Sequence, residues 1–337
     1  MPEPVCAARA SVFGISAFDP VGSAVRIGPD LLVTNRHIVA DKSEVEIILP
    51  DGKRVKGRVE PAAFRGDLIL VRAELPDGPV LQMGGDPSGD LWTVGQDISE
   101  RRVKVYPKGK TLLPPAGDKP YARLHHSAYS QPGNSGGAVV DKDGKLVAIA
   151  ASGGEGRFEA VPSPQIEALR AQSGPKQAAR SAEIGKNLRE CTLALEKAQR
   201  IRATIPEELA DTIKSTCAAS ENRQLYDLAA QTLARQRQLD AAVELFERSV
   251  EKDPNAINSR LGLVIALRFA RRLNDAKPHV QWLLDVIPEE RMLHPVALHV
   301  GKVTDDKEMM DEALGLIAKH APNQLEAAKN FLKSPAR

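Results

Sequence analysis

The sequence predicts a protein with two structural parts, a domain of short antiparallel β-strands followed by a region of α-helices. Through about residue 165, short runs rich in β-branched residues alternate with Gly, Pro and Asp, which is typical of strands joined by tight turns. From about residue 176 onward, Ala, Leu, Glu, Arg and Gln dominate and glycines become scarce, which favours helices. The connecting stretch 161–175 contains one helical candidate between helix breakers, so we place the boundary near residue 172.

Length and charge exclude several classes of protein. At 337 residues, the chain is long enough for two or three domains that each bury a core. The net charge of +2 gives no reason to expect bulk attraction to nucleic acid or to an anionic membrane. No apolar run approaches the roughly 18 residues that a membrane helix needs. We therefore expect no nucleic-acid partner and no membrane span.

The predicted strands of the first part are short and are separated by turn residues. A hairpin turn at Asp51-Gly52 joins two of them, and residues 141–144 predict a second hairpin. The Pro- and Gly-rich run 107–120 predicts a surface loop. The predicted strands are 10–16, 22–27, 31–35, 45–49, 53–59, 68–71, 89–94, 102–106, 124–128, 138–140 and 145–151.

A serine lies within a glycine-rich stretch, Gln131-Pro132-Gly133-Asn134-Ser135-Gly136-Gly137, directly before the apolar run 138–140. The chain must turn tightly there, and glycine adopts the required backbone conformations at low cost. A serine on such a turn exposes its hydroxyl beside backbone N–H groups. Acyl transfer needs both, as a nucleophile and as donors to the developing oxyanion. The alternative is an ordinary glycine-rich hairpin turn.

Two further polar residues lie at strand ends. His37 follows the strand 31–35, where a single histidine is more often a buried side chain that has no chemical role. Asp67 directly precedes the apolar strand 68–71, and it is either a turn aspartate or an inward-facing acid that orients an imidazole. A serine nucleophile requires a base. A family resemblance, carried by the segments around these three residues, implies Ser135 as nucleophile, His37 as base and Asp67 as orienting acid.

Three short segments together resemble the chymotrypsin/trypsin-like serine peptidases, especially their bacterial Deg-like branch. The segments are Thr34-Asn35-Arg36-His37, Gly66-Asp67-Leu68-Ile69-Leu70 and Gly133-Asn134-Ser135-Gly136-Gly137. The chain order His, Asp, Ser is that of this family and differs from the orders in subtilisins and α/β-hydrolases. The resemblance covers residues 8–172. It implies a chymotrypsin-like double antiparallel β-barrel with the active site in the cleft between the barrels.

The same resemblance implies a serine-type endopeptidase that works without a cofactor or a metal. His37 and Asp67 would come from the first barrel and Ser135 from the second. The backbone N–H groups of Gly133 and Ser135, with Asn134 in the same turn, would form the oxyanion hole.

The resemblance also suggests which residues form the substrate pocket. Tyr129 occupies the position at the base of the primary specificity pocket, so a preference for Lys or Arg side chains is not expected. The wall near Ala151 and Ser152 is small and uncharged. We therefore expect a pocket for a small or modest apolar side chain.

Residues 183–220 predict a helical hairpin that is broken at Ile205-Pro206. Cys191 and Cys217 lie near the outer ends of this hairpin, where antiparallel helices bring such positions together. A disulfide there would stabilise the fold by about 3 kcal/mol in the chain-entropy model and would indicate an oxidising compartment. Two buried free thiols are the alternative. The cysteines and histidines show no metal-ligand spacing.

A 34-residue repeat follows in residues 223–335. Pro254, Pro288 and Pro322 recur at this interval, and apolar positions align between them. The pattern resembles the tetratricopeptide repeat, which implies helix–turn–helix units stacked into an α-helical superhelix whose concave face binds a peptide or partner protein. The units are 223–256, 257–290 and a degenerate 291–324, in which Pro295 is expected to interrupt the first helix, and 324–333 predicts a closing helix.

These features favour a serine endopeptidase that acts on a protein or peptide substrate and whose repeats bind a substrate or partner protein. One alternative is a catalytically silent protease-fold scaffold that acts as a protein-binding module, and another is an enzyme that stays latent until a partner binds the repeats. The first residues, 1–4, do not resemble a signal peptide. The resemblance and the cysteine pair favour a periplasmic or secreted bacterial protein whose signal has been removed, with a cytoplasmic location as the alternative.

Overall fold

The computed structural model describes residues 1–154 and 156–334. Contacts between residues divide the chain into two compact units. The first unit contains Met1–Ala229 together with Ser249–Ala256, and the second contains Ala230–Arg248 and the residues from Ile257 onward. The first unit therefore extends well beyond the change in composition near residue 172. Residue 335, the last of the predicted repeat region, lies outside the described residues.

The first barrel is a closed antiparallel sheet with the strand order β1-β2-β3-β6-β5-β4. A short helix, α1 (Glu3–Ala7), precedes it, and α2 (Arg36–Val39) lies between its third and fourth strands. Apolar side chains such as Ile15, Leu32 and Leu70 fill the interior. The strands are β1 (Val12–Ser16), β2 (Gly22–Arg26), β3 (Leu31–Thr34), β4 (Glu44–Ile48), β5 (Arg54–Glu60) and β6 (Ile69–Ala73).

The second barrel closes through an additional pairing of β11 with β7, and β8 extends the sheet beyond β7. Its strands follow the order β11-β12-β13-β10-β9-β7-β8. They are β7 (Asp90–Asp97), β8 (Arg102–Val105), β9 (Gly109–Leu113), β10 (Leu124–His126), β11 (Ala138–Val140), β12 (Leu146–Gly154) and β13 (Arg157–Pro162). The predicted double antiparallel β-barrel followed by helices is therefore confirmed.

Two strands of the second barrel differ from the sequence-based expectation. The predicted surface loop 107–120 contains β9, whose side chains are all partly or fully exposed and so give no apolar alternation. Strand β13 was not predicted because Arg157 and Glu159 interrupt its apolar pattern, although Glu159 is buried. Both strands pair with β10, so they are required to close the barrel.

The first unit continues with helices. They are α3 (Gln165–Ala171), α4 (Ala178–Arg200), α5 (Glu207–Ala219) and the first part of α6 (Arg223–Arg235). Helices α4 and α5 form the predicted hairpin, and a disulfide joins Cys191 of α4 to Cys217 of α5. Helix α4 also packs against α2, which places it beside the segment that carries His37.

The remaining helices belong to the second unit, except for the last residues of α7, which belong to the first unit. They are α7 (Leu239–Lys252), α8 (Ile257–Phe269), α9 (Leu273–Val286), α10 (Leu293–Val303), α11 (Lys307–His320) and α12 (Leu325–Lys333). Helices α7, α9 and α11 start 34 residues apart, as do α6 and α8. Within the described residues, none of the helices has both the length and the apolar character needed to cross a membrane.

The expectation that Pro295 interrupts a helix was wrong. Helix α10 begins at Leu293, so Pro295 lies in its first turn. The first four N–H groups of a helix have no intrahelical acceptor, so a proline there removes no hydrogen bond. The start of α10 is therefore shifted by two residues relative to the 34-residue spacing from α8, and the helix itself is continuous.

Candidate active site

The pairing of β3 with β6 brings His37 and Asp67 together. Thr34 at the end of β3 lies opposite Ile69 at the start of β6. In an antiparallel pair, the chain that leaves one strand lies beside the chain that enters the other. His37 follows Thr34 within α2, and Asp67 comes just before Ile69, so both side chains lie at the same end of the barrel.

His37 and Asp67 form a closely joined pair. His37 Nδ1 lies 2.6 Å from Asp67 Oδ2, and the His37 backbone N–H donates to Asp67 Oδ1 at 3.0 Å. The side chains are 15% and 4% exposed, respectively. Burial lowers the pKa of His37, but the charge of Asp67 and its hydrogen bond raise it by more, so the pKa lies above its usual value of 6.5. With Nδ1–H directed at the carboxylate, Nε2 of the neutral ring is available as a base.

Glycines give the Ser135 turn its shape. Gly133 has φ of +94° and Gly136 has φ of +81°, a region that side chains rarely adopt. The Gln131 carbonyl accepts the Asn134 N–H at 3.0 Å, which, together with the proline and glycine between them, describes a type II turn. A Cβ on Gly136 would overlap the carbonyl oxygen of Ser23. The glycines therefore allow the serine turn to lie directly against the first barrel.

Ser23 on β2 holds this turn from the first barrel. Its N–H donates to the Ser135 carbonyl at 2.7 Å, and its hydroxyl donates to the Gly133 carbonyl at 2.7 Å. The same hydroxyl accepts the Gln96 N–H at 2.8 Å, so the buried oxygen both donates and accepts. Sequence reasoning missed Ser23 because a small residue inside a strand has no distinguishing pattern.

The Gly133 and Ser135 N–H groups, which the sequence suggested as oxyanion donors, have no acceptor among the described residues. They are thus available to an anionic oxygen. Asn134 has partners within the protein. Its N–H is taken by the Gln131 carbonyl, and its buried side chain donates to the Gln96 carbonyl at 3.1 Å and accepts the Gln131 N–H at 2.9 Å. Asn134 therefore stabilises the turn through its backbone and its side chain, and its place in the oxyanion hole stays a prediction.

A second group that the sequence did not suggest anchors the start of this turn. Asp97 Oδ2 accepts hydrogen bonds from the Gln131 side chain at 3.3 Å and from the Tyr106 hydroxyl at 3.2 Å. Hydrogen bonds from the Glu100 backbone and the Ser99 side chain, with Lys104 nearby, hold the pKa of Asp97 well below its usual range. The carboxylate therefore stays charged and keeps Gln131 in place.

Ser135 lies in the same cleft as His37, but its hydroxyl points elsewhere. The two residues line one cavity of about 720 Å³. Ser135 Oγ donates to the Ala151 carbonyl at 3.1 Å, and no hydrogen bond joins it to His37 among the described residues. Rotation about a single side-chain bond changes the partner of this hydroxyl. Catalytic hydrogen bonds often form only when substrate is present.

The three residues expected in the substrate pocket all line this cleft. Tyr129 is 45% exposed, and its ring lies 6.0 Å from that of Phe158, which also lines the cleft. Ala151 is buried, and the Ser152 hydroxyl lies 3.3 Å from Glu159 Oε2. Asp19 lines the cleft as well and adds to the raised pKa of His37. In residues 1–154 and 156–334, no group of three or more His, Cys, Asp and Glu side chains is placed to hold a metal ion.

Comparison with known proteins agrees with this geometry over the first part of the chain. The family model for the trypsin-like peptidase domain matches residues 22–149. The chain is 28% identical over 166 residues to serine protease HTRA1A of Danio rerio, covering 45% of this chain and 34% of that protein. It is 31% identical over 155 residues to the HtrA-like serine protease of Staphylococcus aureus (strain bovine RF122 / ET3-1), covering 40% of this chain and 20% of that protein.

Solved structures are similar to about half of the chain. The Rv3671c protease in an inactive form aligns with a TM-score of 0.43 at 20% identity, over 50% of this chain and 92% of that one. The two sequence relatives are longer proteins, and the chain spans about a third or less of their length. Residues 22–149 thus match the trypsin-like peptidase domain, and the two sequence relatives are HtrA-type serine proteases.

Proposed function

We propose that the chain is a serine endopeptidase that hydrolyses peptide bonds through an acyl-enzyme on Ser135. The observation that carries this proposal is the His37–Asp67 pair at 2.6 Å, which lies in the same cleft as Ser135. A carboxylate bound to Nδ1 of a histidine fixes the tautomer in which Nε2 accepts a proton. Together with the unoccupied N–H groups of Gly133 and Ser135, this arrangement meets the requirements of acyl transfer.

In the acylation step, Ser135 Oγ rotates towards His37 and attacks the carbonyl carbon of the substrate. The hydroxyl proton moves to His37 Nε2, and Asp67 stabilises the imidazolium that results. The carbonyl oxygen becomes negatively charged and accepts hydrogen bonds from the N–H groups of Gly133 and Ser135. When the tetrahedral intermediate collapses, the C–N bond breaks and His37 gives its proton to the leaving amine.

In the deacylation step, a water molecule replaces the amine and attacks the ester carbon. His37 takes a proton from the water and returns it to Ser135 Oγ as the ester bond breaks, which releases the carboxylic acid and restores the enzyme. The Ala151 carbonyl holds the Ser135 hydroxyl between turnovers. Asp67 remains ionised throughout, because its role is to orient and stabilise the imidazole.

Strand β12 offers a place for the substrate backbone. Its first half pairs with β11, whereas Ser152–Gly154 pair only with β13 among the described residues. These residues line the cleft, so an extended peptide can add to the open edge by main-chain hydrogen bonds. We infer that the peptide side chain next to the scissile bond enters the space between Tyr129 and Ala151, which suits small or apolar groups.

A second candidate function is a catalytically silent scaffold that binds proteins. The observation in its favour is the Ser135 hydroxyl, which bonds to the Ala151 carbonyl rather than to His37. The same geometry suits an enzyme that stays latent until a ligand turns this hydroxyl. The three readings differ in whether Ser135 reacts with an electrophile in the resting protein.

The helices after the peptidase domain are proposed to act as tetratricopeptide-like repeats that bind a substrate or partner protein. The equal spacing of their helix starts supports this proposal. The disulfide between Cys191 and Cys217 supports an oxidising location, such as the periplasm or the exterior of a bacterium. The physical reason is that compartments such as the cytosol keep pairs of cysteine thiols reduced.

The test is covalent labelling with a fluorophosphonate, followed by mass spectrometry of the labelled peptide. We expect labelling at Ser135 that disappears in Ser135→Ala and falls strongly in His37→Ala. Ser130→Ala is a matched control, because Ser130 also lines the cleft but bonds to Thr93. A folded protein that never labels refutes the endopeptidase. Labelling that requires an added peptide ligand identifies the latent enzyme.

A further inference from the structure

One residue that lines the cleft comes from outside the two barrels. Gln224 belongs to helix α6, yet it lines the same cavity as His37 and Ser135. Its side chain is partly exposed and has no hydrogen-bond partner among the described residues. The helical extension therefore presents an amide with unused donors and acceptors to the space that a substrate would occupy.

The residue before it, Arg223, fixes helix α6 to the cleft wall. Its side chain is only 2% exposed, and Nη2 bonds to Glu159 Oε2 of β13, whose side chain is 5% exposed. Glu159 lies opposite Ser152 in the sheet and also bonds to the Ser152 hydroxyl. Since Ser152 lines the cleft, Arg223 meets the sheet directly behind the substrate-binding edge of β12.

Other contacts hold the start of α6 in place. Asn222 accepts the Leu225 N–H on its side chain at 3.1 Å, which caps the first turn of the helix. Arg223 also lies 3.8 Å from Asp253, a fully buried residue of the segment Ser249–Ala256. Asp253 in turn bonds to His125 of β10 at 3.0 Å. The helix start is thus tied to β10 and β13 by buried polar contacts, and Gln224 has a defined position.

We propose that Gln224 is a specificity-determining residue of the cleft, and that it hydrogen-bonds an uncharged polar side chain of the peptide substrate. The subsite lies in the cavity that Ser152 also lines, on the side where Arg223 and Glu159 support its wall. This inference rests on the proposed endopeptidase function. It also assigns a direct role in substrate choice to the helical extension, which lies outside residues 22–149.

The experiment gives the subsite a negative charge in Gln224→Glu and a positive charge in Gln224→Lys, both in the full chain. Cleavage of a peptide library should shift at one substrate position, towards Lys and Arg in Gln224→Glu and towards Asp and Glu in Gln224→Lys. We expect a change of about fivefold in relative kcat/KM. This factor corresponds to the contribution of one ion pair in a partly exposed site.

Gln231→Glu is the matched control, because Gln231 is exposed on the same helix and does not line the cleft. It should keep the wild-type profile. If the wild type cleaves peptides but both Gln224 variants keep its profile at every position, the inference is overturned and the endopeptidase stands.

A binding measurement tests the proposed role of Gln224 separately from the proposed endopeptidase activity. In a Ser135→Ala background, the affinities of peptides with Lys or Glu at the selected position should change with the charge at residue 224 by the same factor. If the wild type never reacts with fluorophosphonate but this shift in affinity occurs, the endopeptidase is refuted and the peptide subsite at Gln224 is supported. If neither occurs, both proposals are refuted.

Discussion

Ser23 shows how strongly a single buried hydroxyl can control the site. It bonds to the Gly133 carbonyl, which lies 110 residues later in the chain, and to the Gln96 N–H. The Ser23→Ala variant leaves both groups buried without a partner, which costs about 1–3 kcal/mol of stability. It also releases the backbone of Gly133 on the carbonyl side, and the N–H of the same residue is a proposed oxyanion donor, so we expect kcat to fall by about 10²–10³-fold.

Steady-state peptide hydrolysis and urea unfolding of Ser23→Ala measure the two effects separately. Ser11→Ala is the control, because Ser11 is also buried but bonds to the Pro79 carbonyl, away from the cleft. It should lose stability and keep kcat. Equal kcat values in the two variants would show that the Ser23 hydroxyl does not position the oxyanion turn.

We expect the pH dependence of the proposed activity to follow the titration of His37. In the proposed mechanism its neutral form accepts the serine proton, and its pKa is raised above 6.5 because Asp67 outweighs the effect of burial. The kcat/KM should therefore rise with pH through a midpoint above 6.5 and be lost as His37 becomes protonated at lower pH. In Asp67→Asn, the midpoint should move down, and kcat should fall by about 10⁴-fold. A midpoint that does not move in Asp67→Asn would assign the titration to another group.

Gly136 is constrained by both its backbone and its surroundings. Its φ is +81°, and a Cβ would overlap the Ser23 carbonyl oxygen and approach Thr34 Oγ1. We expect Gly136→Ala to lower the free energy of unfolding by on the order of 3 kcal/mol, from backbone strain and overpacking together. Gly84→Ala is a matched control, with φ of +88° and no atom near the added Cβ. Urea unfolding should show about 1 kcal/mol for this control.

At the residue scale, the sequence predicted the members of the site that lie at strand ends. His37, Asp67 and Ser135 each follow or precede a recognisable strand, so local pattern was enough to propose them. Ser23 and Asp97 depend on contacts between segments that are far apart in sequence, and no local pattern encodes such contacts. For Asn134, the pattern does not reveal which way its side chain points.

At the scale of elements, helix α4 supports the short helix that carries His37. Arg36 of α2 bonds to Ser181 of α4, and Gly185 of α4 lies so close to Ala40 that a Cβ would overlap its carbonyl oxygen. Arg189 of α4 adds an ion pair with Asp41 at 2.8 Å. Because α4 and α5 are joined by a disulfide, the α4–α5 hairpin forms a rigid support for the helix that carries the proposed base.

We expect the disulfide to stabilise the α4–α5 hairpin by a measurable amount. Replacing both Cys191 and Cys217 by Ser opens a loop of 26 residues and should lower the free energy of unfolding of the first unit by about 3 kcal/mol. Urea unfolding followed by circular dichroism measures this change. Cys6→Ser is the control, because Cys6 is a free cysteine, and it should leave stability unchanged. Equal stabilities of all three proteins would contradict the stabilising role of the disulfide.

The elements also show where sequence patterns fail. Strands β9 and β13 were missed because their stability depends on both neighbouring strands rather than on their own apolar residues. Glu159 reads as a solvent-facing residue, yet in the structure it is buried opposite Arg223. By contrast, the helix starts in the repeats follow from a regular spacing that requires no knowledge of tertiary contacts.

At the scale of the whole molecule, the peptidase fold is completed by residues that follow the barrels. A chain that ends at Gln172 lacks Arg223 and Asp253, the buried partners of Glu159 and His125. Loss of one partner of a buried ion pair costs about 3–5 kcal/mol, a large part of the stability of a typical domain. We therefore expect this shortened chain to be unfolded or aggregated and not to label at Ser135.

A chain that ends at Ala256 is the matched control, because it retains every residue of the first unit. It should fold, as judged by circular dichroism, and label with fluorophosphonate. A chain ending at Gln172 that folds and labels equally well would place the functional boundary where the change in composition suggested it.

The late position of Asp253 has a consequence for the synthesis of the protein. Ribosomes make the chain from its amino terminus, so both barrels leave the ribosome well before Arg223 and Asp253 are available. Until then, Glu159 and His125 lack their partners, and the wall of the cleft behind Ser152 is incomplete. The proposed endopeptidase would thus gain its activity only when three quarters of its own chain exists.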